Sequence, residues 1–240
     1  LDKPLQNSFR SVPSDKFVHS SASPRLDRRK KYLQVALNST LSEAAGIIRS
    51  LPQSDRILLE AGTPLIKHYG IDAIRFLKNS RPEAYVVADL KTMDRGETEV
   101  ELAHIAGASG AIALGQAPIE TINIFIQYCY EFGVDSMLDM MNVEHPIKIL
   151  RKLKKQPNVV VLHRGVDEET YNRDKPIPYI QINKVRASYD VLIAIAGGDT
   201  IREVQRAIFN DANIVVVWKE FYQPSAQTSQ IAEEFLKVIK

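Results

Sequence analysis

A single cysteine, Cys129, stands among 240 residues. One thiol cannot build a disulfide framework within the chain, which fits a reducing cytoplasm. Cys129 falls on the apolar stripe of an expected helix, so it reads as a small buried hydrophobe rather than a nucleophile. Charge of one sign is also lacking. Against 29 acidic residues stand 31 Lys and Arg, a net charge of +2, without the basic excess of a nucleic-acid binder. No apolar run approaches the ~18 residues of a membrane span, so no membrane partner is expected. No His/Cys cluster carries zinc spacing. A signal-peptide pattern is missing, and Leu1 rather than methionine comes first, so the chain is read as cut from something longer.

What is present is an ordinary globular balance, 45% hydrophobic and 25% charged, with ample apolar material for one core. Residues 1–30 are the exception. They hold Ser8, Ser11, Ser14, Ser20, Ser21 and Ser23 with Pro4, Pro13 and Pro24, lack periodicity, and read as a linker or an arm lying on the surface. The run Arg28-Arg29-Lys30-Lys31 is read as solvated linker. The folded domain is expected over 31–240.

Within it one pattern recurs. The apolar runs Tyr32–Leu37, Arg56–Leu59, Ala84–Ala88, Gly110–Leu114, Val134–Leu138, Val159–Leu162, Val191–Ile195 and Asn213–Val217 are mostly apolar on consecutive positions, as strands buried on both faces are. Helical spacings lie between them, among them Ile119, Ile122, Ile126 and Cys129, and then Ile201, Val204 and Ile208. Thr40-x-x-Glu43 and Thr200-x-x-Glu203 are expected capping boxes. Strand and helix alternating in this way predict a closed parallel (β/α)8 TIM barrel, with an open doubly wound sheet as the competitor.

In barrels reactive groups gather at the C-terminal ends of strands. Just past the runs stand Asn38, Glu60, Asp89 with Lys91, Asp139, His163, Gly197 with Gly198, and Trp218. Asp89 and Lys91 are two apart, so on an extended backbone both point the same way; Asp94 follows. Such a set holds a metal and a polar substrate, or else is a surface ion-pair cluster. Glu60 and Asp89 offer two hard oxygen ligands of the kind Mg2+ uses, unless Glu60 is satisfied by Lys91. His163 alone among the histidines ends a strand, where an imidazole suits acid–base work or plays a structural part. Gly197-Gly198 lets backbone N–H groups approach an anion at a helix start, or makes a tight turn.

The segments Leu59-Glu-Ala-Gly-Thr-Pro-Leu-Ile66, Ala88-Asp-Leu-Lys-Thr-Met-Asp94, Leu162-His-Arg-Gly-Val-Asp167 and Ala196-Gly-Gly198, in this order, resemble the 3-hexulose-6-phosphate synthases of the orotidine monophosphate decarboxylase superfamily. The resemblance implies aldol condensation of formaldehyde with ribulose 5-phosphate, or its reversal, through a metal-stabilised 1,2-enediolate. It implies Mg2+ on Glu60 and Asp89, charge stabilisation by Lys91, proton transfer by His163, and phosphate on Gly197 and Gly198. It further implies a homodimer in which Asp94 reaches the partner's site, and substrate contacts from Asn38 and Asp139. Keto-gulonate-phosphate decarboxylases, a sister family, usually carry Glu where Asp139 stands and a second arginine where Val166 stands. The family usually has aspartate at Asn38 and Gly-Gly or Gly-Arg after strand eight, where Val217-Trp-Lys-Glu-Phe-Tyr222 stands. Either Lys219 supplies phosphate charge directly, or the phosphate site has shifted. Some archaeal synthases are the C-terminal half of a fusion with a formaldehyde-activating enzyme, and residues 1–30 would be the linker of such a fusion. A non-catalytic barrel that binds a sugar phosphate is the remaining alternative.

Overall fold

The apolar runs become strands with both faces buried, which is why they lack the alternation of a half-exposed sheet. A computed structural model describes residues 26–172, 174, 176–198 and 200–239. Its strands are β1 (Tyr32–Leu37), β2 (Ile57–Ala61), β3 (Tyr85–Thr92), β4 (Gly110–Leu114), β5 (Asp135–Asp139), β6 (Val159–His163), β7 (Leu192–Ala196) and β8 (Ile214–Val217). All neighbouring pairs are parallel, and β8 returns to β1 with Tyr32 opposite Ile214. That closure is a TIM barrel and excludes the open sheet. Around it run α1 (Leu41–Ser50), α2 (Thr63–Tyr69), α3 (Asp72–Ser80), α4 (Gly96–Ile105), α5 (Ile119–Phe132), α6 (Pro146–Leu150), α7 (Val166–Tyr171), α8 (Tyr179–Ser188), α9 (Ile201–Phe209) and α10 (Thr228–Val238).

Both expected capping boxes form, at Thr40 with Glu43 and at Thr200 with Glu203. Cys129 is buried on α5. No described helix is long and apolar enough to cross a membrane.

The strand period of two sorts the core into two clusters. One face, with Leu33, Val35, Leu59, Val86, Ala111 and Leu138, packs against the helices. The other fills the barrel with Tyr32, Leu58, Tyr85, Val87, Ile112, Met137, Val159, Val161, Leu192, Ala194 and Ile214. This inner set sets the site. Two residues beyond Leu58 comes Glu60, beyond Val87 Asp89, beyond Met137 Asp139, and beyond Val161 His163. Each polar residue thus inherits the inward face of an apolar predecessor.

The opposite end of the barrel corrects the linker reading for its last residues. Leu26 packs with the inner cluster, and its N–H lies 3.4 Å from Asp135 Oδ2, which also accepts the Tyr85 hydroxyl at 2.8 Å. Arg28, Lys30 and Lys31 pair with Asp190, Asp55 and Asp211, acidic residues just before β7, β2 and β8. The basic run therefore docks on the barrel's N-terminal rim, because those acids complement it. The serine-rich stretch 1–25 lies outside the described residues.

Candidate active site

A cavity of about 590 Å³ opens at the C-terminal end of the strands. Asn38, Glu60, Asp89, Lys91, Asp139, His163 and Gly197 all border it. These come from β1, β2, β3, β5, β6 and β7, so the barrel gathers groups far apart in sequence, as the rule for strand ends requires.

Lys91 is its electrostatic hub. Its Nζ lies 3.0 Å from Asp89 Oδ2 and 3.1 Å from Asp139 Oδ2. Burial opposes the ammonium, but Asp89 and Asp139 outweigh it and hold the Lys91 pKa above its usual value. A lysine so held is no Schiff-base nucleophile. The extended-backbone expectation for Asp89 and Lys91 needs correction. The β3–β4 register shifts between Ala88 and Thr92, and Lys91 has φ +48°. The two side chains meet across a bulge that re-aims the lysine, as bulges beside active sites do.

Asp139 binds three partners. Oδ2 takes Lys91 and lies 2.8 Å from His163 Nδ1, while Oδ1 accepts the Met141 N–H at 2.9 Å. Burial raises its pKa, but His163 and Lys91 overcome that and bring it to about 2. The same pair works on His163: burial disfavours the imidazolium, Asp139 favours it more strongly, and the pKa is raised. With Nδ1 committed to Asp139, Nε2 is the ring nitrogen that meets a ligand.

Glu60 is buried and accepts a short hydrogen bond from Gln34 Nε2, not from Lys91 as the alternative reading had it. Burial first, and then the negative charge of Asp89, push its pKa up to about 7. Two carboxylates of adjacent strands in one cavity, one of them held back from ionising by its burial and by the other's charge, are a donor set a divalent cation would relieve. Among the described residues no group of three or more His, Cys, Asp or Glu side chains forms a metal cage. The pair nonetheless fits Mg2+, which takes one or two carboxylates and completes its octahedron with water and substrate oxygens.

Several residues had no assigned part in the sequence reading. Thr63 Oγ1 lies 2.8 Å from both Asp89 O and Asp89 Oδ2 and holds that carboxylate from the start of α2. Gln34 was legible as an amide inside an apolar run. Arg164 borders the cavity beside His163, and its Nη2 donates to Gly197 O at 2.7 Å. Gly62 explains where Asn38 sits: a Cβ there would lie 1.9 Å from Asn38 Oδ1.

Three expected residues do not border the cavity. Asp94 is exposed and does not border its own chain's cavity. Gly198 lies behind the wall, where a Cβ would press Ile177 and Glu203 at 2.9 and 3.1 Å. Lys219 also stands off the cavity, its Nζ 2.5 Å from Glu169 Oε1, while Trp218 and Tyr222 form that stretch of wall.

Gly197 does belong to the wall. It has φ +89°, and a Cβ would fall 2.2 Å from Arg164 O. Gly197→Ala is therefore expected to destabilise the fold by at least about 1–2 kcal/mol, the cost of an L-residue in left-handed backbone, before the clash is counted. Urea unfolding of the variant checks this, and an unchanged midpoint refutes it.

The chain is 39% identical over 208 residues to a bifunctional enzyme Fae/Hps of Methanococcoides burtonii, covering 86% of this chain and 52% of that one. The chain spans about half the length of the curated relatives it matches. The crystal structure of 3-hexulose-6-phosphate synthase from Salmonella typhimurium superposes with a TM-score of 0.78 at 27% identity, covering 87% of this chain and 98% of that one. A 3-keto-L-gulonate-6-phosphate decarboxylase from Vibrio cholerae shares the fold at 21% identity, with a TM-score of 0.73 and coverage of 88% and 97%. The model of the orotidine 5'-phosphate decarboxylase / HUMPS family matches residues 31–228, and the chain belongs to that family.

Proposed function

We propose that this chain is a carbon–carbon lyase that joins formaldehyde to ribulose 5-phosphate to give a 3-hexulose 6-phosphate, or runs the reverse cleavage. The observation that carries the reading is the convergence of Glu60, Asp89, Lys91, Asp139 and His163 in one cavity at the barrel mouth. The likeness to a hexulose-phosphate synthase over nearly the whole of both chains supports it.

In this reading Glu60 and Asp89 hold Mg2+. The cation, when bound, would supply positive charge that stabilises the negative charge developing on the sugar. His163, turned by Asp139, takes the C1 proton of ribulose 5-phosphate on Nε2, in its neutral form. The electrons left on C1 give a 1,2-enediolate, and Lys91 donates hydrogen bonds to its oxygen. C1 then bonds to the carbon of formaldehyde, and the alkoxide formed there takes a proton back from the imidazolium. Asn38 hydrogen-bonds a sugar hydroxyl, and Gly197, Gly198 and Lys219 receive the phosphate with the start of α9.

Mg2+-loaded protein is expected to consume ribulose 5-phosphate only when formaldehyde is present. Carbon dioxide release from 3-keto-gulonate 6-phosphate would instead mark a sister decarboxylase. Calorimetry without binding of either Mg2+ or ribulose 5-phosphate would leave a barrel with no part in this chemistry.

The site is read as shared between two protomers, with Asp94 serving the partner. Asp94 is exposed beside Met93, an apolar side chain left 46% open, as an uncovered interface would be. Mixing Asp89→Asn and Asp94→Ala chains is then expected to restore about a quarter of the sites, since half the dimers are mixed and each carries one intact site. Mixtures as inactive as the parents would refute the sharing.

A further inference from the structure

Two cations flank the turn at Gly197, and one carboxylate meets both. Glu169 Oε1 lies 2.5 Å from Lys219 Nζ, from the loop after β8, and 3.7 Å from Arg164 Nη2, from the loop after β6. Arg164 is tied to the turn itself through Gly197 O and to Glu203 on α9 at 3.5 Å. A carboxylate oxygen shared by two cations beside a helix start occupies the kind of place a phosphate oxygen takes.

Three observations distinguish this carboxylate from an ordinary structural ion pair. Its other oxygen, Oε2, is buried and has no hydrogen-bond partner among the described residues, an arrangement that costs free energy and leaves the group incompletely satisfied. The helix that carries it, α7, contributes no buried residue, so little packing fixes it in place. Finally, the pairing holds Lys219 off the cavity, although Trp218 beside it forms the wall.

We propose that Glu169 is the resident counter-anion of the sugar-phosphate site and is exchanged for the substrate's phosphate on binding. The exchange rests on the reading above that Lys219 and the Gly197 turn receive that phosphate. Glu169 withdraws from Lys219 and Arg164, and the phosphate takes over both cations. The pair keeps two positive charges compensated while the site is empty, at the expense of affinity. Apparent affinity falls by the fraction of molecules in which the cations are already engaged.

The test titrates inorganic phosphate into Mg2+-loaded protein by calorimetry and measures KM for ribulose 5-phosphate. In Glu169→Gln and in Glu169→Ala, phosphate Kd and KM are expected to fall about threefold to tenfold, with KM moving more than kcat. In Lys219→Gln both are expected to rise about tenfold, for loss of a charge-assisted contact. In the double variant Glu169→Gln/Lys219→Gln the gain over Lys219→Gln is expected to shrink to the part carried by Arg164, which separates exchange at Lys219 from a general loss of negative charge. Unchanged or weaker phosphate binding in both Glu169 variants, with Lys219→Gln still impaired, overturns the exchange and leaves the phosphate site standing. So does a gain that is undiminished in the double variant. Unchanged binding in Lys219→Gln removes that residue from the phosphate site itself, and the exchange with it.

Discussion

Asp89→Asn is expected to lower formaldehyde-dependent consumption of ribulose 5-phosphate by about a thousandfold or more, the scale of losing a central electrostatic group of a buried site. The carboxylate has two parts to lose. With Glu60 it would make the proposed two-oxygen cation site, and with Asp139 it holds the Lys91 ammonium, 3.0 Å away. An asparagine keeps the size and accepts the Thr63 hydroxyl, so the local geometry survives. It also removes the charge that disfavours ionised Glu60. The fold is therefore expected to hold, with a melting temperature within a few degrees of the parent. Steady-state kinetics beside a thermal melt checks both halves. Full activity in a folded Asp89→Asn protein would end the proposed chemistry, whereas a collapsed fold would show Asp89 to be structural.

Asp139→Asn is expected to damage both stability and rate. Asp139 is 1% exposed and compensates two cations at once, Lys91 and His163. Removing one partner of a buried pair costs about 3–5 kcal/mol, because the remaining charge is left uncompensated. As His163 loses the group that orients Nδ1, turnover is expected to drop by about a hundredfold or more. The pH dependence gives a sharper signature. A base must be neutral to accept a proton, and Asp139 holds the His163 pKa above its usual value. In the parent protein, activity should therefore rise with pH through that raised pKa. Without Asp139, burial and Lys91 both disfavour the imidazolium, so the acidic limb is expected to move to lower pH while the maximum falls. A limb that stays in place would separate Asp139 from His163.

The same pair sets a stability window in the parent. Asp139 has its pKa depressed from 3.8 to about 2. Its contribution is present above 3.8 and is lost as pH falls through about 2. For His163 the pKa is raised from 6.5. Its contribution is full below 6.5 and is lost as pH rises through the raised value. The pair thus stabilises the fold most between those limits, and Asp139→Asn is expected to flatten that dependence in urea unfolding.

Much of this architecture was legible in the chain itself. Continuous apolar runs pointed to strands buried on both faces, and helical spacings between them to a parallel sheet, with the closed form favoured over the open one. Polar residues ending those runs marked the cavity wall, and Glu60, Asp89, Lys91, Asp139 and His163 do meet there. The capping boxes at Thr40 and Thr200 were equally plain, because a cap depends on residues three apart.

What escaped the sequence was everything decided by which loops pack together. A run of four basic residues looks solvated until the barrel brings Asp55, Asp190 and Asp211 to one rim. Lys219 reads as a phosphate ligand, but nothing in the sequence shows that α7 places Glu169 beside it. The bulge that turns Lys91 back toward Asp89, and the hold of Thr63 on that carboxylate, depend on contacts between β3, β4 and α2. Local pattern determines which elements form and which face is inward, since those follow from the period of the chain. The pairing of charges is set by distances across the closed barrel, and such distances exist only after the sheet has joined its first strand to its last.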